Sequence, residues 1–138
     1  MNYTIYKKLN GEIFSQFGGS LESLQLNIDF DTQDYIEGNY LREFYYIQNN
    51  EPVEISRPPD VWYDFNYNTK QWVANRDKAI DFISEKRKKL LIDSDWTQLP
   101  NGPLTQQQQE AWAVYRQQLR DIPQQSGYPF NVVWPTPP

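Results

Sequence analysis

Neither cysteine nor histidine occurs among the 138 residues. The first absence excludes disulfides, thiolate metal sites and a cysteine nucleophile. The second removes the commonest general base and the commonest metal ligand. No apolar run approaches the roughly 20 residues that a membrane helix needs, and Met1–Leu9 is polar and mixed, unlike a signal peptide. Basic residues are outnumbered, 13 Lys and Arg against 18 Asp and Glu, for a net charge of −5. That balance argues against nonspecific binding to a nucleic-acid backbone, which relies on clustered cations. Walker, G-x-S-x-G and H-E-x-x-H patterns are also missing. The expectation is a soluble protein made in the cytoplasm, with no cofactor, no metal, no nucleic-acid partner and no membrane partner.

What the chain does carry is aromatic: 5 Trp, 10 Tyr and 7 Phe. Such side chains fill small cores and also anchor protein interfaces. The length suits one domain, or two small modules that share a core, because independent halves of about 70 residues would each be marginally stable.

The N-terminal half reads as hairpins. Tyr3 and Ile5 alternate with Thr4 and Tyr6, and Asn10-Gly11 tolerates the positive φ of a tight turn, so Glu12 to Phe17 is the return strand. Ser20 to Leu26 fits either a helical turn or a loop, and Leu26 to Phe30 reads as a strand before a turn at residues 31–34. Arg42 to Gln48 and Val53 to Ile55, joined through Asn49-Asn50-Glu51-Pro52, make a second hairpin. Arg57-Pro58-Pro59-Asp60 is an extended break, and Trp62 to Val73 makes a third hairpin.

From Asn75 the hydrophobic period becomes helical. Asn75 suits an N-cap, and Ile80, Ile83, Leu90 and Leu91 share a face with Arg87, which calls for a carboxylate from Asp93, Asp95 or Asp121. The helix should stop near Asp93, ahead of Pro100 and Pro103. Thr105 and Gln108 form a capping-box pattern, and Trp112, Tyr115, Leu119 and Ile122 form the stripe of a second helix closed by Pro123. Trp96 is expected to pin the turn between the helices from inside. The fold class is therefore α+β: a small N-terminal antiparallel β module of hairpins over residues 1–74, then a C-terminal helical hairpin and an extended Pro-rich tail over residues 75–138. The tail, through Trp134, either docks on its own helices, the favoured reading, or stands available to a partner.

Acidic pairs explain themselves without catalysis. Asp93 and Asp95 flank Ser94 with no second catalytic group in view, and Ser94 or Asp95 suits backbone amides of the turn. Asp29, Asp31 and Asp34 lack the glycine and terminal glutamate of a calcium loop, so turn chemistry accounts for them. Arg116 and Arg120, one helical turn apart, have two readings: a solvated face whose stems cover aromatic rings, or the rim of an interface.

Read as motifs, S-D-W-T-Q-L-P (Ser94–Pro100), P-L-T (Pro103–Thr105), A-W-x-x-Y-R-x-x-L-R-D-I-P (Ala111–Pro123) and V-V-W-P-x-P-P (Val132–Pro138) occur in one ordered run. This run resembles the phage tail assembly chaperone family, and the Y-I-E-G-x-Y and R-P-P segments look like modules of phage tail proteins. The resemblance implies a non-catalytic protein that binds a tail-fibre or related tail protein in the host bacterial cytoplasm and aids its folding, trimerisation or attachment. The alternative is a structural virion component, a fibre-associated or baseplate adaptor subunit retained in the tail. The positions Trp112, Tyr115, Arg116, Arg120, Val133 and Trp134 match the family's pattern and are assigned here to partner contact.

Overall fold

A computed structural model describes residues 1–138. The fold is α+β, with antiparallel strands in small sheets first and helices after them. It divides into two compact units: Met1–Pro59 with Asp64–Val73, and Asp60–Tyr63 with Ala74–Pro138.

The first unit is built around β1 (Asn2–Lys7), which lies between β2 (Ile13–Gly18) and β3 (Gln33–Glu37). Four consecutive residues, Tyr3 to Tyr6, are buried, so this strand is covered on both faces. One face sets Tyr3 and Ile5 against Leu24 and Ile28, with Phe17 and Tyr35 alongside. The other sets Tyr6 against Ile13, Ile36 and Ile47, with Tyr40 and Tyr45. Thr4 sits on that second face without a buried orphan: its hydroxyl lies 3.0 Å from both Gln16 Oε1 and the Gly38 carbonyl, and accepts from the Tyr40 amide.

Gly11 closes the first hairpin at φ +67°, and the Ile47 amide donates to its carbonyl at 2.9 Å. A Cβ at Gly11 would stand 1.8 Å from the Ile47 carbonyl oxygen, so close backbone approach as well as φ demands glycine here. Ile47 belongs to β4 (Tyr45–Gln48), which pairs with β5 (Glu51–Glu54) across Asn49 and Asn50, both at positive φ. A third hairpin joins β6 (Tyr63–Asn66) to β7 (Gln71–Ala74).

One expected strand is absent. Leu26 to Phe30 does not extend; Ser20 caps a short helix, α1 (Leu21–Gln25), and Leu24 and Ile28 reach the core from the helix and the turn after it. The chain then reverses at Asp29, whose carboxylate accepts from the Thr32 hydroxyl at 2.7 Å and the Asp31 amide at 3.1 Å. The Thr32 bond, then that from the Asp31 amide, holds the Asp29 carboxyl below its ordinary pKa. Because this turn ends at Thr32, β3 starts at Gln33, inside the segment expected to turn.

In the second unit, α2 (Arg76–Asp93) begins at Asn75, whose side chain accepts from the Lys78 amide at 3.1 Å. Trp62 packs on Phe82 with ring centroids 5.5 Å apart, and its carbonyl accepts from the Asn75 amide, which ties residues 60–63 to this unit. After a 3₁₀ turn at Asp95–Gln98, α3 (Gln106–Asp121) starts from a full capping box: Gln108 N donates to Thr105 Oγ1 at 3.2 Å and Thr105 N to Gln108 Oε1 at 2.9 Å. The core consists of Ile83, Tyr115, Leu119 and Ile122, with Leu90, Leu91, Trp112, Tyr128, Val132 and Trp134 around it. Burial of a side chain such as Leu119 stabilises by about 1.5–3 kcal/mol.

Candidate partner-binding surface

The C-terminal end of α2 meets α3 at a polar knot. The four last carbonyls of a helix lack partners within it, and the end carries partial negative charge. α2 has no basic residue in its last turn. The missing cation comes from α3: Arg116 Nη1 donates to the Leu91 carbonyl at 2.6 Å and to Ser94 Oγ at 2.7 Å, and Nη2 to Asp95 Oδ1 at 2.7 Å. The Ser94 hydroxyl, itself 2% exposed, lies 2.8 Å from the Leu90 carbonyl and 3.1 Å from that of Leu91, so its proton points back into α2. Ser94 and Asp95 therefore serve a guanidinium and not the turn amides expected of them, and it is Arg116 that takes Asp95. Arg87 makes a different contact, a long 3.5 Å bond to the Arg120 carbonyl.

Above the knot stands a line of rings. Trp96 and Trp112 have centroids 6.2 Å apart at 57°, and Trp112 meets Tyr115 edge-on at 5.5 Å. Trp96, expected inside, is 46% exposed; the 3₁₀ turn rotates it outward while Thr97 is buried in its place. Leu99, also exposed, lies beside it, held by Gln109 Nε2 to its carbonyl at 3.3 Å; Gln98 Nε2 reciprocates to the Gln109 carbonyl at 3.3 Å. The open surface here is Trp96, Leu99 and the exposed side of Trp112.

The six residues assigned from sequence divide accordingly. Tyr115 and Arg116 are buried, 5% and 8% exposed, so they face inward and hold the surface in place. Arg120 is exposed on α3, and Trp112 is half-buried. Val133 and Trp134 belong to the tail. There the Gln125 side-chain amide clamps the Val133 backbone, donating to its carbonyl and accepting from its amide, both at 2.8 Å. Trp134 packs on the helical core with Lys86 Nζ 4.3 Å from its ring centroid. The tail is docked in cis, while Val133 itself is 76% exposed. The Gln125 clamp, the Lys86–Trp134 contact and the Arg116–Ser94 bond escaped the sequence reading because the partners lie on different segments, and no local pattern marks such pairs.

Residues 81–138 match the model of the phage tail assembly chaperone protein family.

The match bears out the resemblance read from the C-terminal motifs and runs through both tryptophans, the arginine knot and the docked tail. It begins at Asp81, so the N-terminal part of the resemblance lies outside it. No curated protein matches the chain. No solved structure matches it either.

Proposed function

We propose that this protein is a non-catalytic phage tail assembly chaperone that binds a tail-fibre or related tail protein in the host cytoplasm and aids its folding, trimerisation or attachment. The observation that carries the reading is the Trp96–Trp112 pair: a half-open aromatic surface beside exposed Leu99, within the segment that matches the family. Rigid aromatic anchors with a polar surround are the usual energetic centre of a protein interface. An unassembled fibre chain exposes apolar surface and strand edges that aggregate unless covered, and such a surface covers them. Trp112, Arg120, Val133 and Trp134 are the contact residues of this reading, joined by Trp96, with Tyr115 and Arg116 as positioning residues beneath. Residues 75–138 form the module that carries the contact.

Co-expression with the tail-fibre protein of the same phage, followed by co-purification and a count of this chain in mature particles, tests the proposal. A complex that renders the fibre soluble and trimeric, with no copies in particles, is the expected result for a transient chaperone. A fixed number of copies in particles without any effect on fibre solubility overturns it in favour of a structural subunit.

A further inference from the structure

The two outer strands of the three-stranded sheet are defended differently. On β3, the Gly38 amide donates to the Asn2 carbonyl at 2.9 Å and the Lys8 amide to the Thr32 carbonyl at 2.9 Å. Antiparallel alternation then turns the main chain of Asp34 and Ile36 toward β1, and that of Gln33, Tyr35 and Glu37 outward. This edge is guarded: the Asp34 carboxylate accepts from the outward Tyr35 amide at 2.9 Å, and Asp34 and Glu37 add charge.

On β2, the Gly19 amide donates to the Met1 carbonyl at 3.1 Å, so Phe17 and Ser15 face β1, while Gln16 and Gly18 present their amides and carbonyls outward. The one guard here is a bulge at Phe14, where Ile5 pairs with Ser15 and Tyr6 with Ile13; from Ser15 to Gly18 no charge or proline protects the edge. The run Ile13–Gly18 carries no charge and no proline, and Phe14, Gln16 and Gly18 are exposed, Phe14 by 59%. The Gln16 side chain is drawn away from the edge, between the Thr4 hydroxyl and the Tyr40 carbonyl. Beside Phe14 lies an open hollow of about 640 Å³ lined also by Leu9, Lys7, Lys8, Asp31, Thr32 and Gln33. It is wide enough for a large apolar side chain, and the Lys8 ammonium at its border is already engaged, donating to the Phe30 carbonyl at 2.6 Å.

We propose that β2 is a strand-addition site: an extended strand of a partner polypeptide pairs with the outward Gln16 and Gly18 groups and places an apolar side chain against Phe14 and Leu9. An occupant recognised by main-chain bonds must be extended, and the uncharged edge accepts a strand of any register-compatible sequence. The proposal rests on the tail-assembly reading for the source of that strand, an unassembled tail-fibre chain.

The test compares full-length wild type, Gln16→Pro, Gln16→Ala and Phe14→Ser, each checked for native circular dichroism, in complex formation with the same phage's tail-fibre protein. Proline at 16 removes an outward N–H and no internal ladder bond, and alanine removes the same side-chain contacts while keeping the N–H. Q16P should bind on the order of tenfold more weakly than Q16A, and F14S should also lose affinity. Hydrogen exchange on the wild-type complex should show new protection at Phe14, Gln16 and Gly18. That readout with F14S decides the matter if Q16P does not fold. Equal binding by Q16P and Q16A, or no protection in residues 14–18, overturns the inference while leaving the wild-type complex and the chaperone reading intact. A chain that dimerises alone and becomes monomeric with Q16P overturns it in favour of a second copy as occupant. Failure of wild type to capture any fibre removes the chaperone reading and this inference together.

Discussion

The guanidinium of Arg116 donates to the Ser94 hydroxyl at 2.7 Å, and neither residue is more than 8% exposed. One residue of α3 thus completes the C-terminus of α2. Arg116→Ala should destabilise the second unit by about 2–4 kcal/mol, since it strips charged donors from a helix end and a buried hydroxyl. Arg116→Lys keeps the charge but not the fork and should recover only part of the loss. The Asp95 arm contributes less, because that carboxylate is 62% exposed. Urea unfolding of single and double mutants should give a coupling for Arg116–Ser94 that exceeds the one for Arg116–Asp95.

The tryptophan pair separates binding from folding. Trp96→Ala removes a half-exposed ring and should change stability by about 1 kcal/mol or less, yet weaken the fibre complex on the order of tenfold. Trp112→Ala should also weaken the complex and leave the β strands intact. Because Trp112 packs on Tyr115, it should cost more stability than the Trp96 change. Titration of the fibre protein, together with denaturation curves, checks both; loss of all folded structure in the Trp112 variant would mark that ring as core.

The tail provides a third expectation. At Val133 the main chain is held by the Gln125 clamp, and the segment is anchored by Trp134 under Lys86. Trp134→Ala should release residues 131–138, seen as rapid amide exchange and early protease cleavage there, while the capped helices α2 and α3 persist. Gln125→Ala should have a milder effect of the same kind, about 1–2 kcal/mol in local opening.

Alkaline stability carries a defined sign. Burial, aided by the nearby Asp34 charge, raises the Tyr6 pKa, and burial raises that of Tyr67. A phenol whose folded pKa lies above its unfolded value, about 10, contributes stability that is complete below that pH and is lost as pH rises through the folded value. Lys70, held low by burial, acts in the opposite direction as pH rises toward the ordinary lysine range. The urea midpoint of Tyr6→Phe should therefore fall less steeply above pH about 10 than that of wild type, with tyrosinate absorbance confirming late ionisation of Tyr6 in the native protein.

Local patterns carried much of the fold. Asn10-Gly11, Asn49-Asn50, the Asn75 cap, the Thr105–Gln108 box and Pro123 each act within a few residues, where turn and capping chemistry is decided, and the structure has turns, helix starts and a helix end at those places. The stripe Tyr115, Leu119, Ile122 became core for the same reason: a helix period fixes which side chains share a face. The failures were also local in origin. Leu26–Phe30 looks extended by composition, but Asp29 found hydrogen bonds that reverse the chain, and the 3₁₀ turn that exposes Trp96 is not written in its neighbours.

The amino-acid order settled where elements start and stop, that the chain is α+β, and which family its C-terminal run resembles, because caps, periods and motifs are short-range. Which arginine pairs with Asp95, whether Trp96 or Tyr115 faces outward, what holds the tail, and which strand edge is less guarded depended on side chains brought together from positions more than 20 residues apart in the case of Arg116 and Asp95. Those contacts form only when the helices and strands pack, and packing is where burial and hydrogen-bond satisfaction choose among partners that the sequence offers equally.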